Sequence, residues 1–282
     1  MNVILLLLII IGISIQQVAK KAFDSKTTGA AYSFSAASAL AAVIVFIITS
    51  GGNLSFSTEF AGYSIAFAIS YSIALVFSYL AVSTGSLSLT SLVLQYSLII
   101  PAAYGLAVLG EPLKVTLFIG IVLLLVSVVL INFEDKTQPK LITLKWTIYA
   151  LLAFLGNGAC STIQKMHQMR FDGAYKNEYM ILALIISAAI LGVMAIINEK
   201  SAIVHNLKSG VLWYTICGLA NGLTNFLVLI LKMPASVMFP VISAGGIAAT
   251  AFVSAFIYKE KMSVQQKAGL VMGIASIVML NL

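Results

Sequence analysis

The residues in this chain that could do chemistry are uncharged hydrogen-bonding side chains, set at helical spacing inside apolar segments. Asn157, Ser161 and Gln164 follow one another at i, i+4 and i+7 and therefore share one helix face. Asn221 and Asn225 share a face of another helix in the same way. Such groups can hold a polar solute by hydrogen bonds. The candidate binding residues of this kind are Gln16, Gln17, Tyr71, Ser78, Gln95, Asn157, Ser161, Gln164, Asn221 and Asn225.

These polar faces have two interpretations. An amide that faced an apolar solvent would leave its donors and acceptors unpaired, so the faces should point inward. They could join neighbouring helices by hydrogen bonds worth about 0.6 kcal/mol each. For a single serine or threonine that interpretation is favoured. The Asn and Gln residues, spread over at least three helices, equally indicate a shared polar cavity.

Helix-breaking residues give a second indication. Pro101 and Pro240 lie inside two apolar segments, and Gly245 and Gly246 follow Pro240 closely. Proline removes a backbone donor, which a membrane helix tolerates where the freed carbonyl faces protein or a cavity. Interrupted helices at corresponding positions of two halves are typical of a transport site. A kink used only for packing is an equal alternative.

Other chemistries are not expected. The nine acidic residues lie in loops or at the ends of apolar segments. His167 and His205 are expected in loops, and neither has a metal-ligand neighbour at helical spacing. No nucleophile motif, phosphate loop or pair of carboxylates occurs within the apolar segments, so we expect no enzyme, metal or cofactor. Cys160 and Cys217 fit buried packing. No basic face with interleaved aromatic residues indicates nucleic acid.

The composition places most of the chain in lipid. Of 282 residues, 61% are hydrophobic and only 9% are charged, against about 25% charged in an ordinary soluble domain. The net charge of +7 is spread over the loops. We therefore expect a multi-pass protein of the cell membrane. Lys165, the deepest base, is expected to extend its ammonium to the membrane surface.

Hydropathy predicts ten membrane spans and an all-α fold. Their approximate ranges are 3–19, 30–50, 60–82, 86–109, 114–132, 144–165, 177–198, 210–231, 235–257 and 264–281. The connections are short. The longest polar stretch in the middle of the chain, 134–140, separates two predicted five-helix units, residues 1–139 and 140–282.

The two units read as copies of one another. Residues 111–132 align with residues 260–281 at one fixed offset, and Ile15-Gln16 recurs as Ile163-Gln164. The matched positions are Glu111/Glu260, Val115/Val264, Gly120/Gly269, Val122/Val271, Ser127/Ser276, Val129/Val278 and Asn132/Asn281. Because five spans is an odd number, the copies should cross the membrane in opposite senses. This predicts two inverted five-helix repeats, an arrangement common in transporters.

The pattern resembles the EamA-type members of the drug/metabolite transporter superfamily. The resemblance rests on Leu109-Gly110-Glu111-Pro112-Leu113 with Gly120, and on Tyr258-Lys259-Glu260-Lys261-Met262 with Gly269. It implies that small metabolites, amino acids or drug-like amphiphiles move through a cavity lined by spans one, three, four, six, eight and nine. Small relatives in that superfamily couple to protons through a glutamate in span one, where this chain has Gln16 and Gln17.

The orientation of the termini has conflicting indications. Eleven of the sixteen lysine and arginine residues lie in loops after odd-numbered spans. By the positive-inside rule this count puts both termini outside. The resemblance implies both termini in the cytoplasm.

Two functions remain as hypotheses. The first is a transporter that works by alternating access around a site without formal charge. The second is a non-transporting membrane scaffold or sensor, with a packed helix core and no room for a metabolite. Gly218-x-x-x-Gly222 and Gly269-x-x-x-Gly273 predict faces for close helix contact, and the second could also form a homodimer.

Overall fold

The chain folds into helices connected by short segments. A computed structural model describes residues 2–24, 27, 29–55, 57–84, 87–112, 115–131, 143–257 and 264–280, and their regular structure is entirely helical. The α-helices are α1 (Asn2–Asp24), α2 (Ala31–Ser50), α3 (Ala61–Thr84), α4 (Leu87–Tyr96), α5 (Ile99–Ala107), α6 (Val115–Ile131), α7 (Leu144–Phe171), α8 (Lys176–Asn198), α9 (Ile203–Ile230), α10 (Ala235–Ile257) and α11 (Val264–Leu280). Single 3₁₀ turns, Thr58–Phe60 and Lys200–Ala202, precede α3 and α9.

Six of the described helices are long and apolar enough to cross a membrane. They are α1, α2, α3 with its preceding turn, α7, α8 and α9. Their outward faces carry large apolar side chains, among them Ile48 on α2 and Ile196 on α8, which are 71% and 67% exposed. Lipid suits such faces, whereas soluble monomers rarely expose contiguous apolar patches of this kind. The fold is that of an α-helical membrane protein.

The helices pack around the middle of the molecule in a regular pattern. α2 packs against α8 and α9, α3 against α7 and α8, and α1 against α9 and α10. Phe46, Phe67 and Tyr179 belong to the largest buried cluster, which joins α2, α3 and α8. A second cluster, with Ile9 and Phe239, joins α1 to α10. Side chains of the inner helix faces are thereby fixed in place.

Glycines allow some of these helices to approach closely. A Cβ atom at Gly218 would lie against the Ser38 carbonyl and Ala41 of α2, and one at Gly222 would lie 2.8 Å from the Ala42 carbonyl oxygen. The predicted small-residue face of α9 is therefore confirmed as a contact with α2.

α6 and α11 form a pair at the side of the bundle. Ser127 Oγ donates to the Gly269 carbonyl at 2.6 Å, and Ser276 Oγ donates to the Gly120 carbonyl at 2.8 Å. Because Gly120 meets Ser276 and Ser127 meets Gly269, the two helices run antiparallel. The face of Gly269 and Gly273 is used for this contact, since a Cβ at Gly273 would lie 2.7 Å from Ser127 Oγ. A homodimer, which stays a prediction, would need another face.

The fourth predicted span is divided between α4 and α5. At the break, the N–H groups of Ser97 and Leu98 donate to carbonyls only three residues back, each at 3.2 Å. Pro101 follows one turn later and has no N–H for the Ser97 carbonyl, which accepts from Ile100 instead, at 3.1 Å. At Pro240 the helix continues: α10 runs uninterrupted from Ala235 to Ile257. The interruption is therefore found beside Pro101 and not at Pro240.

Glu111, which is matched by Glu260 in the sequence repeat, caps the start of α10. Its two carboxylate oxygens accept from the N–H groups of Ala235 and Ser236, each at 2.7 Å. The first turn of a helix has unpaired N–H groups and a positive dipole end, and both favour a carboxylate there. A residue of the first predicted unit therefore holds a helix of the second.

The expected position of Lys165 is wrong. Its side chain is 5% exposed, and Nζ donates to the Met233 carbonyl at 2.8 Å and to Gln168 Oε1 at 3.2 Å. Gln168 in turn donates to the carbonyls of Leu229 and Leu231. The carbonyls at the end of a helix lack partners, so the ammonium pairs with this end of α9 instead of reaching the membrane surface.

The two histidines are also misplaced by the sequence analysis, because α7 and α9 each extend further than hydropathy predicts. His167 lies in α7 and is completely buried, with its ring stacked on Tyr179 at 4.2 Å between centroids. His205 lies in the first turn of α9. Neither histidine lies in a loop.

Candidate functional site

A cavity of about 140 Å³ lies between α1, α3, α4, α7, α9 and α10. These six helices correspond to predicted spans one, three, four, six, eight and nine. The cavity has room for several water molecules or a small organic solute. It brings together all ten candidate binding residues, Gln16, Gln17, Tyr71, Ser78, Gln95, Asn157, Ser161, Gln164, Asn221 and Asn225.

Asn221 connects three of the lining helices. Its Oδ1 accepts from Tyr71 Oη on α3 at 2.6 Å, and its Nδ2 donates to Gln16 Oε1 on α1 at 2.8 Å. Asn225, one turn along α9, donates to Asn221 Oδ1 at 2.9 Å. The asparagine face of α9 predicted from its spacing is thus the centre of a network that crosses the bundle.

Main-chain carbonyls fix the direction of every amide in this network, because a carbonyl can only accept. Gln16 Nε2 donates to the Gly12 carbonyl at 3.2 Å, which leaves Gln16 Oε1 to accept from Asn221. Asn225 Nδ2 donates to the Asn221 carbonyl at 2.9 Å, so Asn225 Oδ1 accepts from Gln164 Nε2 at 2.7 Å. The amide oxygen of Gln164 accepts no hydrogen bond within the described part of the chain.

Asn157 joins α7 to the break between α4 and α5. Its Nδ2 donates to Ser97 Oγ at 2.6 Å and to the Leu94 carbonyl at 3.3 Å. Ser161 Oγ donates back to the Asn157 carbonyl at 3.2 Å. Since the Asn157 nitrogen faces the break, its Oδ1 is a second acceptor without a donor among the described residues.

Gly245 and Gly246 act by close approach. A Cβ at Gly245 would overlap the side chain of Ile10 on α1, and a Cβ at Gly246 would overlap the amide of Gln95 on α4. Ser243 Oγ also donates to the Gln95 carbonyl at 2.9 Å. These contacts hold α1 and α4 against α10 at the wall of the cavity, while the helix itself is not interrupted there.

The expectation of a site without formal charge is wrong, because Lys20 lines the cavity. α1 continues to Asp24, past the predicted end of span one at 19, and this places Lys20 one turn beyond Gln16 on the same face. Its side chain is 7% exposed, and Nζ donates to Ser78 Oγ at 3.2 Å. Lys20 is the one charged residue among the described residues that line the cavity.

Thr224 is a polar lining residue that the sequence analysis missed. Its hydroxyl accepts from Gln16 Nε2 at 3.4 Å and donates to the Ala220 carbonyl at 2.7 Å. Its position three residues after Asn221 was the signal that could have found it.

The chain was compared with known proteins. No family model matches it, and no curated protein matches it in sequence. Chains of solved structures do match, 28 of them. One is the crystal structure of a protein that superposes with a TM-score of 0.76 at 11% identity, over 99% of this chain and 95% of that one. At this identity the likeness concerns the fold alone.

Proposed function

We propose that this protein is a transporter of the cell membrane that moves small metabolites by alternating access through the central cavity. The observation that carries the proposal is the lining of that cavity. Hydrogen-bonding side chains from α1, α3 and α4 meet those from α7 and α9 around one cavity. A polar space of this kind, between helices of two chain halves, is the usual form of a carrier's binding site.

The packing supports two inverted five-helix repeats. If α1, α2, α3, α4–α5 and α6 correspond to α7, α8, α9, α10 and α11, then the following contacts have counterparts. The contact of α3 with α7 corresponds to that of α9 with α1, and the contact of α2 with α9 to that of α8 with α3. The contact of α1 with α10 corresponds to those of α7 with α4 and α5. A two-fold axis through the bundle would produce this pattern.

The reciprocal bonds between α6 and α11 support the same symmetry at the level of single atoms. Ser127 and Ser276 are matched in the sequence repeat, as are Gly120 and Gly269. Each serine donates to the glycine of the opposite copy. A two-fold axis perpendicular to two antiparallel helices produces reciprocal contacts of this kind. If the helices cross the membrane, such an axis lies in the membrane plane and relates two inverted repeats.

Two related halves around one cavity would explain alternating access. The break between α4 and α5 lies at the wall, where Asn157 binds the Leu94 carbonyl. A discontinuous helix offers polar backbone and a site of bending within the membrane. The repeated segments that contain Glu111 and Glu260 also support membership of the EamA-type transporters. The range of substrates would then be amino acids, related metabolites or amphiphiles.

The rival hypothesis is a non-transporting scaffold or sensor. It requires neighbouring helices to fill the polar faces completely. The cavity at these faces, and the amide oxygens of Gln164 and Asn157 that lack donors among the described residues, favour the transporter.

Uptake by proteoliposomes tests the proposed function. The full-length protein is reconstituted, and exchange of radiolabelled amino acids, hydroxy acids, nucleosides and cationic drugs is measured against vesicles without protein. We expect at least one class of compound to be exchanged in a saturable manner, because a site of this size binds a limited number of molecules. Failure to move any compound of the panel would contradict the proposal.

A further inference from the structure

Lys20 is a buried cation without an ion-pair partner in the part of the chain that the structure describes. An ammonium group has three donor hydrogens, and the bond to Ser78 Oγ at 3.2 Å uses one. Asp24 lies one turn further along α1, but its Oδ1 accepts from Ser83 Oγ at 2.8 Å. A buried charge without a counter-ion is costly. The ammonium therefore favours an anion in the cavity.

The remaining polar groups of the cavity need donors. Gln17 Oε1 is buried and has no hydrogen-bond partner among the described residues. Gln17 lies three residues before Lys20 on α1. Gln164 and Asn157 each keep their amide nitrogen on a fixed partner, so their oxygens are also available. A ligand that satisfies this site must carry an anionic group and hydrogen-bond donors.

Charge balance decides what kind of ligand combines these two features. An anion with one negative charge neutralises Lys20, whereas a zwitterionic amino acid would leave the site with one net positive charge. A cationic ligand would place two positive charges in one desolvated space, where their repulsion is poorly screened. Hydroxyl groups supply donors without adding charge. The cavity volume of about 140 Å³ restricts the ligand to a small molecule.

We infer that the cavity binds a small hydroxy-carboxylate anion, with its carboxylate on Lys20 Nζ and its hydroxyl donating to an amide oxygen of the lining. This inference rests on the transport function proposed above and names its substrate class. The ammonium of Lys20 then selects the charge of the substrate, and the amide oxygens of Gln164 and Asn157 accept from its hydroxyl.

Ligand-dependent thermal unfolding of the purified full-length protein tests the inference. The probes are lactate, glycerate and 3-hydroxybutyrate, compared with alanine as a zwitterion and lactamide as a neutral analogue of lactate. A ligand that binds the folded form raises the melting temperature in proportion to its affinity. We expect at least one hydroxy acid to stabilise the protein more than alanine or lactamide does.

Substitutions then locate the site. Lys20→Met should weaken the binding of that hydroxy acid by about tenfold or more, since a charge-assisted hydrogen bond is lost. Lys20→Arg keeps the charge and should retain binding. Lys21→Met is the matched control, because Lys21 is the next residue on α1 and does not line the cavity. If Lys20→Met does not fold, Lys20→Gln replaces it.

Several results would overturn the inference. They are equal or stronger stabilisation by alanine or lactamide, unchanged binding in the Lys20→Met protein, and no stabilisation by any of the three hydroxy acids. The proteoliposome panel separates this failure from that of the proposed function. Exchange of amino acids, nucleosides or cationic drugs, without binding of hydroxy acids, would refute the anion site and leave transport standing. Lys20-dependent binding of a hydroxy acid without exchange of any compound would refute transport and leave the anion site standing.

Discussion

Replacement of Asn221 by leucine is expected to abolish substrate uptake and to leave membrane insertion intact. The substitution keeps the approximate size of the side chain but removes every polar atom. Tyr71 Oη and Gln16 Oε1 would each lose a partner, at 2.6 and 2.8 Å, while Asn225 Nδ2 would keep its bond to the main-chain carbonyl of residue 221. Each buried group left unsatisfied costs about 1–3 kcal/mol. Uptake should therefore fall by about 100-fold or more, as measured by exchange in proteoliposomes.

Asn157→Leu should have the same outcome, because Asn157 holds the break between α4 and α5 through the Leu94 carbonyl and Ser97. The matched control is Asn198→Leu, since Asn198 is exposed at the end of α8 and, among the described residues, its side chain bonds only to its own helix, at the Met194 carbonyl. Insertion is checked by the amount of protein that resists extraction from membranes. Unchanged uptake in both cavity variants would contradict the assignment of the binding site to this cavity.

Gly218→Val is expected to cause a large loss of stability. The new side chain would meet the Ser38 carbonyl and Ala41 Cβ of α2. A backbone carbonyl inside a helix cannot rotate away, so α9 and α2 would have to separate. Overpacking of this kind costs about 1–3 kcal/mol, and occasionally more. Thermal unfolding of the purified protein should show a melting temperature lower by several degrees.

Gly192→Val is the matched control for this prediction. Gly192 lies inside α8, and a Cβ at that position would have no neighbour within 4 Å outside its own helix among the residues that the structure describes. Valine at this position changes stability only through its helix propensity, which is equal to or more favourable than that of glycine. Equal melting temperatures for the two variants would show that the close contact of α9 with α2 contributes nothing to stability.

The general architecture could be predicted because lipid imposes simple rules on a sequence. An apolar run of about 20 residues that lies in lipid has to form a helix. Each predicted span contains helical residues in the described part of the chain. Amides are costly on a lipid-facing surface. For that reason the spacing of Asn157 and Gln164, and of Asn221 and Asn225, was sufficient to find residues that line one cavity.

Other features depend on tertiary contacts that no local pattern contains. Hydropathy ended the first span before Lys20, since two adjacent lysines resemble a loop, but Ser78 of α3 accepts from that ammonium inside the protein. Likewise, Lys165 is buried because the end of α9 presents the Met233 carbonyl. Pro101 and Pro240 are equivalent as sequence signals, yet the helix is broken beside only one of them.

Alternating access can be tested most directly by chemical labelling of the cavity from each side of the membrane. Cys160 and Cys217 are replaced by alanine, and Ser161, which lines the cavity, is replaced by cysteine. Ser187→Cys is the control, because Ser187 is completely buried between α3 and α8, where its hydroxyl meets Ser72 Oγ at 2.7 Å. A small, charged thiosulfonate that cannot cross lipid is then added to vesicles of either orientation.

If the two halves open in turn, the cysteine at position 161 reacts from both sides, and the cysteine at position 187 reacts from neither. Reaction at position 161 from one side only, under every substrate condition, or from neither side, would contradict a carrier built around this cavity.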